Sequence, residues 1–283
     1  MLKVLVPTDF SKNANKAIEY AYKMAGKGKA EIILLHAYQV IDTNSASRKL
    51  LFEEYNYSIA RKLHDELETQ KRKIAKANPG IKVSAELYDN NINNSIVEAS
   101  EKSAVDFIVM GTQGASGLKK VFMGSITASV IGNATVPVLA VPRSYKWTQP
   151  ANILLATNSF ETAPETIKPI IKIVELFHAH LHVIVFTDSD TAAADYISNE
   201  NKLKVYQKEL EKIFKEVKIS SAHLKGSEFE DTMQQYINDN SIDMVAMITR
   251  KRSFLEKIFN RSVTKKMAYR TQIPLLAVPG ADE

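Results

Sequence analysis

The chain has 283 residues, 45% of them hydrophobic and 24% charged, a composition that excludes wholesale disorder, collagen and coiled-coil fibres. Its net charge of +5 comes from 37 basic and 32 acidic residues that alternate along helical stretches such as Arg61 to Lys76; a solvated face explains it, and nucleic acid is not needed. With no cysteine, disulfide scaffolds, thiolate zinc sites and cysteine nucleophiles are excluded.

Strands and helices alternate from the first residues. Val4 to Pro7 is a short apolar run of the kind a buried parallel strand shows. Ser11 offers an N-cap, after which Ala14, Ala17, Ile18, Ala21, Met24 and Ala25 form a stripe at helical spacing. Glu31 to Ala37 is a second strand. A long charged helix is expected from about Ser47 to Asn78, with Leu51, Tyr55, Ile59, Leu63 and Leu67 turned inward. A third strand at Ile81 to Leu87, a helix at Ser95 to Lys102, a fourth strand at Phe107 to Met110, a helix from Ser125 and a fifth strand at Val136 to Val141 follow. No run approaches the ~18 apolar residues of a membrane span. The opening Met1-Leu-Lys-Val-Leu-Val-Pro7 has no basic leader region or cleavage site, so a cytoplasmic location is expected.

The chain then repeats itself. Asp106-Phe-Ile-Val-Met-Gly111 recurs in outline as Asp243-Met-Val-Ala-Met-Ile248, 137 residues later, and Val136-Pro-Val-Leu-Ala-Val-Pro142 recurs as Ile273-Pro-Leu-Leu-Ala-Val-Pro279. Lys3-Val-Leu-Val-Pro-Thr-Asp9 corresponds to Asn152-Ile-Leu-Leu-Ala-Thr-Asn158 at an offset of 149, so the second copy is 12 residues shorter between its second and third strands. The expectation is two tandem doubly wound α/β domains, 1–145 and 151–283, each with a five-stranded parallel sheet. A short polar linker, Arg143 to Pro150, would join them. The apolar fifth strands are edges that invite pairing, and the two repeats are expected to join through them.

Ligands of such sheets bind outside the carboxyl ends of the strands. Pro7-Thr8-Asp9 ends the first strand there, and a glycine-rich segment, Gly111 to Ser125, follows the fourth. Glycines admit an anion close to the backbone, and helix N-terminal amides point at it. Ser125 and Thr127 could add hydroxyl donors for a phosphate, and Asp9 could accept from a ribose hydroxyl pair.

The spacing Gly111, two residues, Gly114, nine residues, Gly124-Ser125, directly after Ile108-Val-Met110, resembles the nucleotide motif of the ATP-binding branch of the universal stress protein family. Val6-Pro-Thr-Asp-Phe-Ser11, Leu34-Leu-His-Ala37 and the terminal Val-Pro-Val-Leu-Ala-Val-Pro fit the same family. The resemblance implies a regulatory, stress-response module that binds ATP, with or without magnesium. It assigns Pro7, Thr8 and Asp9 to the adenosine and the Ala37 backbone and Met110 to the adenine. Gly111, Gly114, Gly124 and Ser125, with Ile126 and Thr127, fall to the phosphates. Lys119 and Lys120 lie in the same loop. There is no Gly-Lys-Ser/Thr signature, so P-loop chemistry is not implied, and no catalytic residue is named. A nucleotide-independent scaffold is the alternative reading, and a homo-oligomer is compatible with either.

In the second copy Asp9 becomes Asn158, Ala37 becomes Phe186, and Gly111, Gly114 and Gly124 become Ile248, Lys251 and Arg261, while Ser262 keeps the hydroxyl. That copy is expected to have lost its nucleotide. His178-Ala-His180-Leu-His182 has alternating spacing but no carboxylate partner, and His178 is assigned to the preceding helix, so no metal site is read there. His36 is expected to be a satisfied core residue, and Asp188-Ser-Asp190 a turn.

Overall fold

The computed structural model describes residues 1–26, 29–40, 46–89, 91–112, 123–157, 160, 164–249 and 272–280. The first half runs β1 (Leu2–Pro7), α1 (Lys12–Ala25), β2 (Ala30–Ala37), α2 (Ala46–Ala77), β3 (Ile81–Tyr88), α3 (Ile92–Lys102), β4 (Phe107–Gly111), α4 (Ser125–Asn133) and β5 (Val138–Val141). The second half repeats it as β6 (Asn152–Ala156), α5 (Pro164–Phe177), β7 (His180–Asp188), α6 (Ala193–Ile213), β8 (Ile219–Gly226), α7 (Phe229–Asp239), β9 (Met244–Thr249) and β10 (Leu275–Pro279). The described strands form one ten-stranded sheet in the order β3-β2-β1-β4-β5-β10-β9-β6-β7-β8. Within each half the pairs are parallel, as strand–helix alternation requires. The halves meet where β5 and β10 run antiparallel, pairing Leu139 with Leu276 and Val138 with Ala277. The expected joining of the two fifth strands is present.

Two apolar layers sandwich the sheet. One packs α1, α2, α5 and α6 over residues such as Val4, Val6, Leu155 and Val183. The other packs α3, α4 and α7 against Leu5, Ile33, Leu154 and Ile184. Successive strand residues therefore face opposite layers, as the pleat dictates. Ser11 caps α1 as its sequence position suggested, its hydroxyl accepting from the Ala14 N–H at 3.1 Å. The duplicated aspartates have one structural task. Asp106 accepts from the Lys3 N–H at 2.7 Å, and Asp243 from the Ala151 and Asn152 N–H groups at 2.8 and 3.0 Å, each pinning the first strand of its half. Lys172 on α5 also reaches Asp106, so this carboxylate ties the halves together.

The short polar linker packs on both halves: Tyr145 is buried, and Trp147 stands edge-on to Tyr20 of α1 at 4.8 Å and packs on Phe177 of α5 at 6.0 Å. It wedges between one helix of each half. The long helix α2 is not inward-facing throughout. Leu67 and Ile74 are buried, but Leu51 is 65% exposed and Tyr55 48%. A strict four-residue spacing drifts about 40° round the helix at each step, so Leu51 and Tyr55 lie well away from the face that buries Leu67. The 12-residue difference between the copies lies mainly here, since α2 has 32 residues and α6 has 21.

Trp147→Ala should remove the wedge and lower the unfolding free energy by about 2–4 kcal/mol, toward the lower end of measured Trp→Ala losses because the ring is only partly buried. Urea denaturation followed by circular dichroism measures it, and a single cooperative transition in wild type that splits in the variant would show the halves uncoupled.

Candidate functional site

At the carboxyl ends of β1, β2 and β4 the first half opens a cleft of about 150 Å³. Pro7, Thr8, Asp9, Ala37, Met110, Gly111, Gly124, Ser125, Ile126 and Thr127 all line it, so ten of the eleven sequence-predicted residues come together there. The eleventh, Gly114, lies outside the described residues, as do Lys119, Lys120, Asn158, Lys251, Arg261 and Ser262. Sequence reasoning did not include Ala14, Leu35, His36, Ile92 and Ile96, which complete the lining. Helix α3 starts at Ile92 rather than Ser95, with Asn91 as N-cap accepting from the Asn93 N–H at 3.1 Å. The three extra residues bring Ile92 over the cleft. Its i, i+4 partner Ile96 was the available signal.

The mouth is built by a strained turn. Phe10 has φ of +60°, in the left-handed region that non-glycine residues seldom occupy. Two side-chain bonds hold it: the Phe10 N–H donates to the Thr8 hydroxyl at 3.1 Å, and the Ser11 N–H to Asp9 Oδ1 at 3.0 Å. The Phe10 ring lies 4.7 Å from His36. His36 Nδ1 sits 2.7 Å from the Thr8 carbonyl oxygen, an acceptor only, so Nδ1 carries the proton. The core reading of His36 is half right, since one nitrogen is satisfied but the ring lines the cleft.

The floor is the first turn of α4. Gly124 is its N-cap and supplies no side-chain cap, so the first N–H groups of the helix face the cleft with the positive end of the helix dipole. Thr127 differs from expectation. It is buried, and its hydroxyl donates to the Gly111 carbonyl at 2.8 Å, so that proton is not offered to a ligand. Ser125 is exposed at the rim. Gly111 has a packing reason of its own: a Cβ there would overlap the side-chain amide of Asn13 on α1.

Among the described residues, the corresponding space of the second half is occupied. Phe186 replaces Ala37 and Phe229 replaces Ile92, and the two rings meet edge to face at 5.1 Å with an interplanar angle of 90°. Ile248 occupies the position of Gly111 and packs against the core. Where the first half has a slot between β2 and α3, the second has an aromatic pair.

A model of the universal stress protein family matches residues 1–142 and again residues 151–279. The chain belongs to the universal stress protein family. It is a tandem member, with two such domains in one α/β sheet. Universal stress protein MJ0577 of Methanocaldococcus jannaschii is 31% identical over 156 residues, covering 50% of this chain and 94% of that protein. MJ0531 of the same organism is 34% identical over 146 residues, covering 51% of this chain and 84% of that protein. A universal stress protein of Archaeoglobus fulgidus superposes on 99% of this chain and 97% of its own length with a TM-score of 0.70, at 21% identity, which shows the shared fold.

The histidine triplet is divided by the structure. His178 stands just past α5 with φ of +52°, while His180 and His182 share one face of β7 with ring centroids 4.2 Å apart. His182 lies between the Tyr236 hydroxyl at 3.2 Å and Asn152 Oδ1 at 3.3 Å. Burial, then its neighbours His182 and Lys218, push His180 down to about 4, and burial together with Lys218 also lowers His182. Both rings are neutral in the fold at pH 7, whereas in the unfolded chain they protonate near 6.5. Between those values the unfolded chain binds more protons, so this contribution to stability is complete above about pH 6.5 and is lost as pH falls toward 4. Urea midpoints measured at pH 7 and pH 5 should show wild type losing more stability than His180→Asn over that interval. An equal loss in both proteins would mean other groups set the acid limb.

Proposed function

We propose that the first half binds one adenine nucleotide, ATP, in the cleft, that the second half binds none, and that the protein is a regulatory stress-response module read through that nucleotide. The observation that carries this reading is an apolar slot ending on an uncapped helix N-terminus, with a carboxylate at the mouth between them. At about 150 Å³ the cleft is smaller than the roughly 300–1,000 Å³ of pockets that enclose a whole drug-sized ligand. It suits a flat base, with the rest of the nucleotide running outward. Ala37, Ile92 and Met110 would hold the adenine by apolar contact. Asp9 would accept from the ribose hydroxyls.

The phosphates would lie across Gly124, Ser125 and Ile126, taking backbone N–H groups and the Ser125 hydroxyl. Charge-assisted hydrogen bonds of this type contribute about 1.5–3 kcal/mol each. Thr127 would act through its carbonyl contact, fixing Gly111 against α4. Magnesium would accompany the phosphates as a counter-ion. In the second half the Phe186–Phe229 pair fills the space of the base, which supports a single site per chain.

Isothermal titration of ATP into the whole chain, with magnesium, should give one site per chain. Ala37→Phe copies the residue at the matching position of the second half, so the fold should tolerate it while ATP affinity falls at least tenfold, about 1.4 kcal/mol. Two equivalent sites, or unchanged affinity in a variant with a wild-type circular dichroism spectrum, would overturn the assignment. No binding of ATP, ADP or AMP would favour a nucleotide-independent scaffold.

A further inference from the structure

His36 enters the cleft of the first half from the side opposite the proposed base slot. Leu35 and Ala37 belong to the layer of α3 and α4, so the alternation of β2 turns His36 toward the layer of α1 and α2, as it does Leu34. There its ring meets Phe10, which packs against that same layer, at 4.7 Å with 31° between the planes. Because Nδ1 donates to the Thr8 carbonyl, Nε2 is an acceptor; it has no partner among the described residues and is open to water. A ring that lines the cleft in this state presents a lone pair to whatever enters. We infer that His36 accepts a hydrogen bond from one hydroxyl of the ribose while Asp9 accepts from the other, so that the cleft selects ribonucleotides over deoxyribonucleotides. This assignment rests on the adenine-nucleotide reading above and adds what the site reads in the sugar.

The chemistry of the mouth favours a diol. Asp9 follows Thr8 directly, so the residue whose carbonyl grips His36 is bonded to the one that bears the carboxylate, and all three line the cleft. A carboxylate and a neutral imidazole nitrogen are both acceptors there. A phosphate oxygen offers neither of them a proton, whereas a vicinal diol brings two donors on adjacent carbons. The other donor of such a ligand, the exocyclic amino group, belongs to the base, which Ala37 and Met110 would hold in the opposite layer. The Thr8 bond and the Phe10 contact fix the imidazole before any ligand arrives, so little side-chain ordering is left to oppose binding. In β7 the residue before Phe186 is Val185, a buried aliphatic side chain with no acceptor, so this feature goes with the half that has the cleft.

Isothermal titration of the whole chain with ATP, 2′-deoxy-ATP and 3′-deoxy-ATP tests the assignment. Wild type should bind each deoxy analogue about three- to tenfold more weakly than ATP, the effect of one hydrogen bond. His36→Asn keeps a donor near Nδ1 for the Thr8 carbonyl and removes the Nε2 acceptor. It should weaken ATP by the same factor and no longer distinguish ATP from one of the two analogues, while still distinguishing the other through Asp9. In wild type, nitrogen NMR should show the Nε2 resonance of His36 moving upfield on saturation with ATP, a readout that stands even if the variant does not fold. Four results would overturn the role of His36 and leave the nucleotide site standing. These are ATP binding with no preference for either hydroxyl, a variant with the full hydroxyl selectivity of wild type, a variant that instead loses selectivity for ATP over purine riboside triphosphate, which lacks the amino group, and an Nε2 resonance unmoved by ATP. Failure of wild type to bind any adenine nucleotide would overturn both.

Discussion

An apolar edge strand cannot be left in water, and in this molecule that constraint is met by the antiparallel pairing of β5 with β10. Val138, Leu139 and Ala140 face Ala277, Leu276 and Leu275 across the junction, and all six side chains are buried. Because the pairing is antiparallel, the second half is inverted relative to the first, and α1, α2, α5 and α6 fall in one layer. The Trp147 wedge and the Lys172–Asp106 contact are consequences of that placement: both join residues that only the sheet junction brings near.

Side chains at a few positions then distinguish the corresponding regions of the two halves. The backbone path through β1, β2, β4 and their counterparts is the same, so each half has the geometric outline of a cleft. Whether the cleft exists depends on side-chain volume. Alanine and isoleucine leave a slot in one half, and two phenylalanines fill it in the other. The two partly buried rings meet edge to face in the filled version, and the topology of that half is unaltered.

The cleft itself combines local and distant demands. Phe10 is held in a left-handed conformation by its neighbours Thr8 and Asp9, so the mouth is shaped by residues adjacent in sequence. The floor depends instead on contacts across the fold. Thr127 gives its hydroxyl to Gly111, sixteen positions earlier, and Gly111 must lack a side chain because Asn13 on α1 lies against it. One glycine position therefore answers to helix packing as well as to any ligand, and spacing alone could not separate the two.

What the sequence determined by itself follows from local chemistry and internal repetition. Strands buried on both faces, the Ser11 cap, the doubled order of elements and the clustering of the Pro7, Gly111 and Gly124 segments at one end of a parallel sheet are all consequences of apolar runs, turn residues and chain direction. Tertiary structure decided what stands opposite each face. The same four-residue spacing that ends on buried Leu67 leaves Leu51 and Tyr55 in solvent, because it drifts about 40° round the helix at each step and only packing fixes which part of that spiral meets the sheet. Likewise Trp147 sits in a segment that reads as a polar linker, and it becomes a wedge only because α1 and α5 approach from opposite halves. Contacts between residues far apart in the chain leave no local pattern, and those contacts set the linker's role, the occupied space of the second half and the fate of the Thr127 hydroxyl.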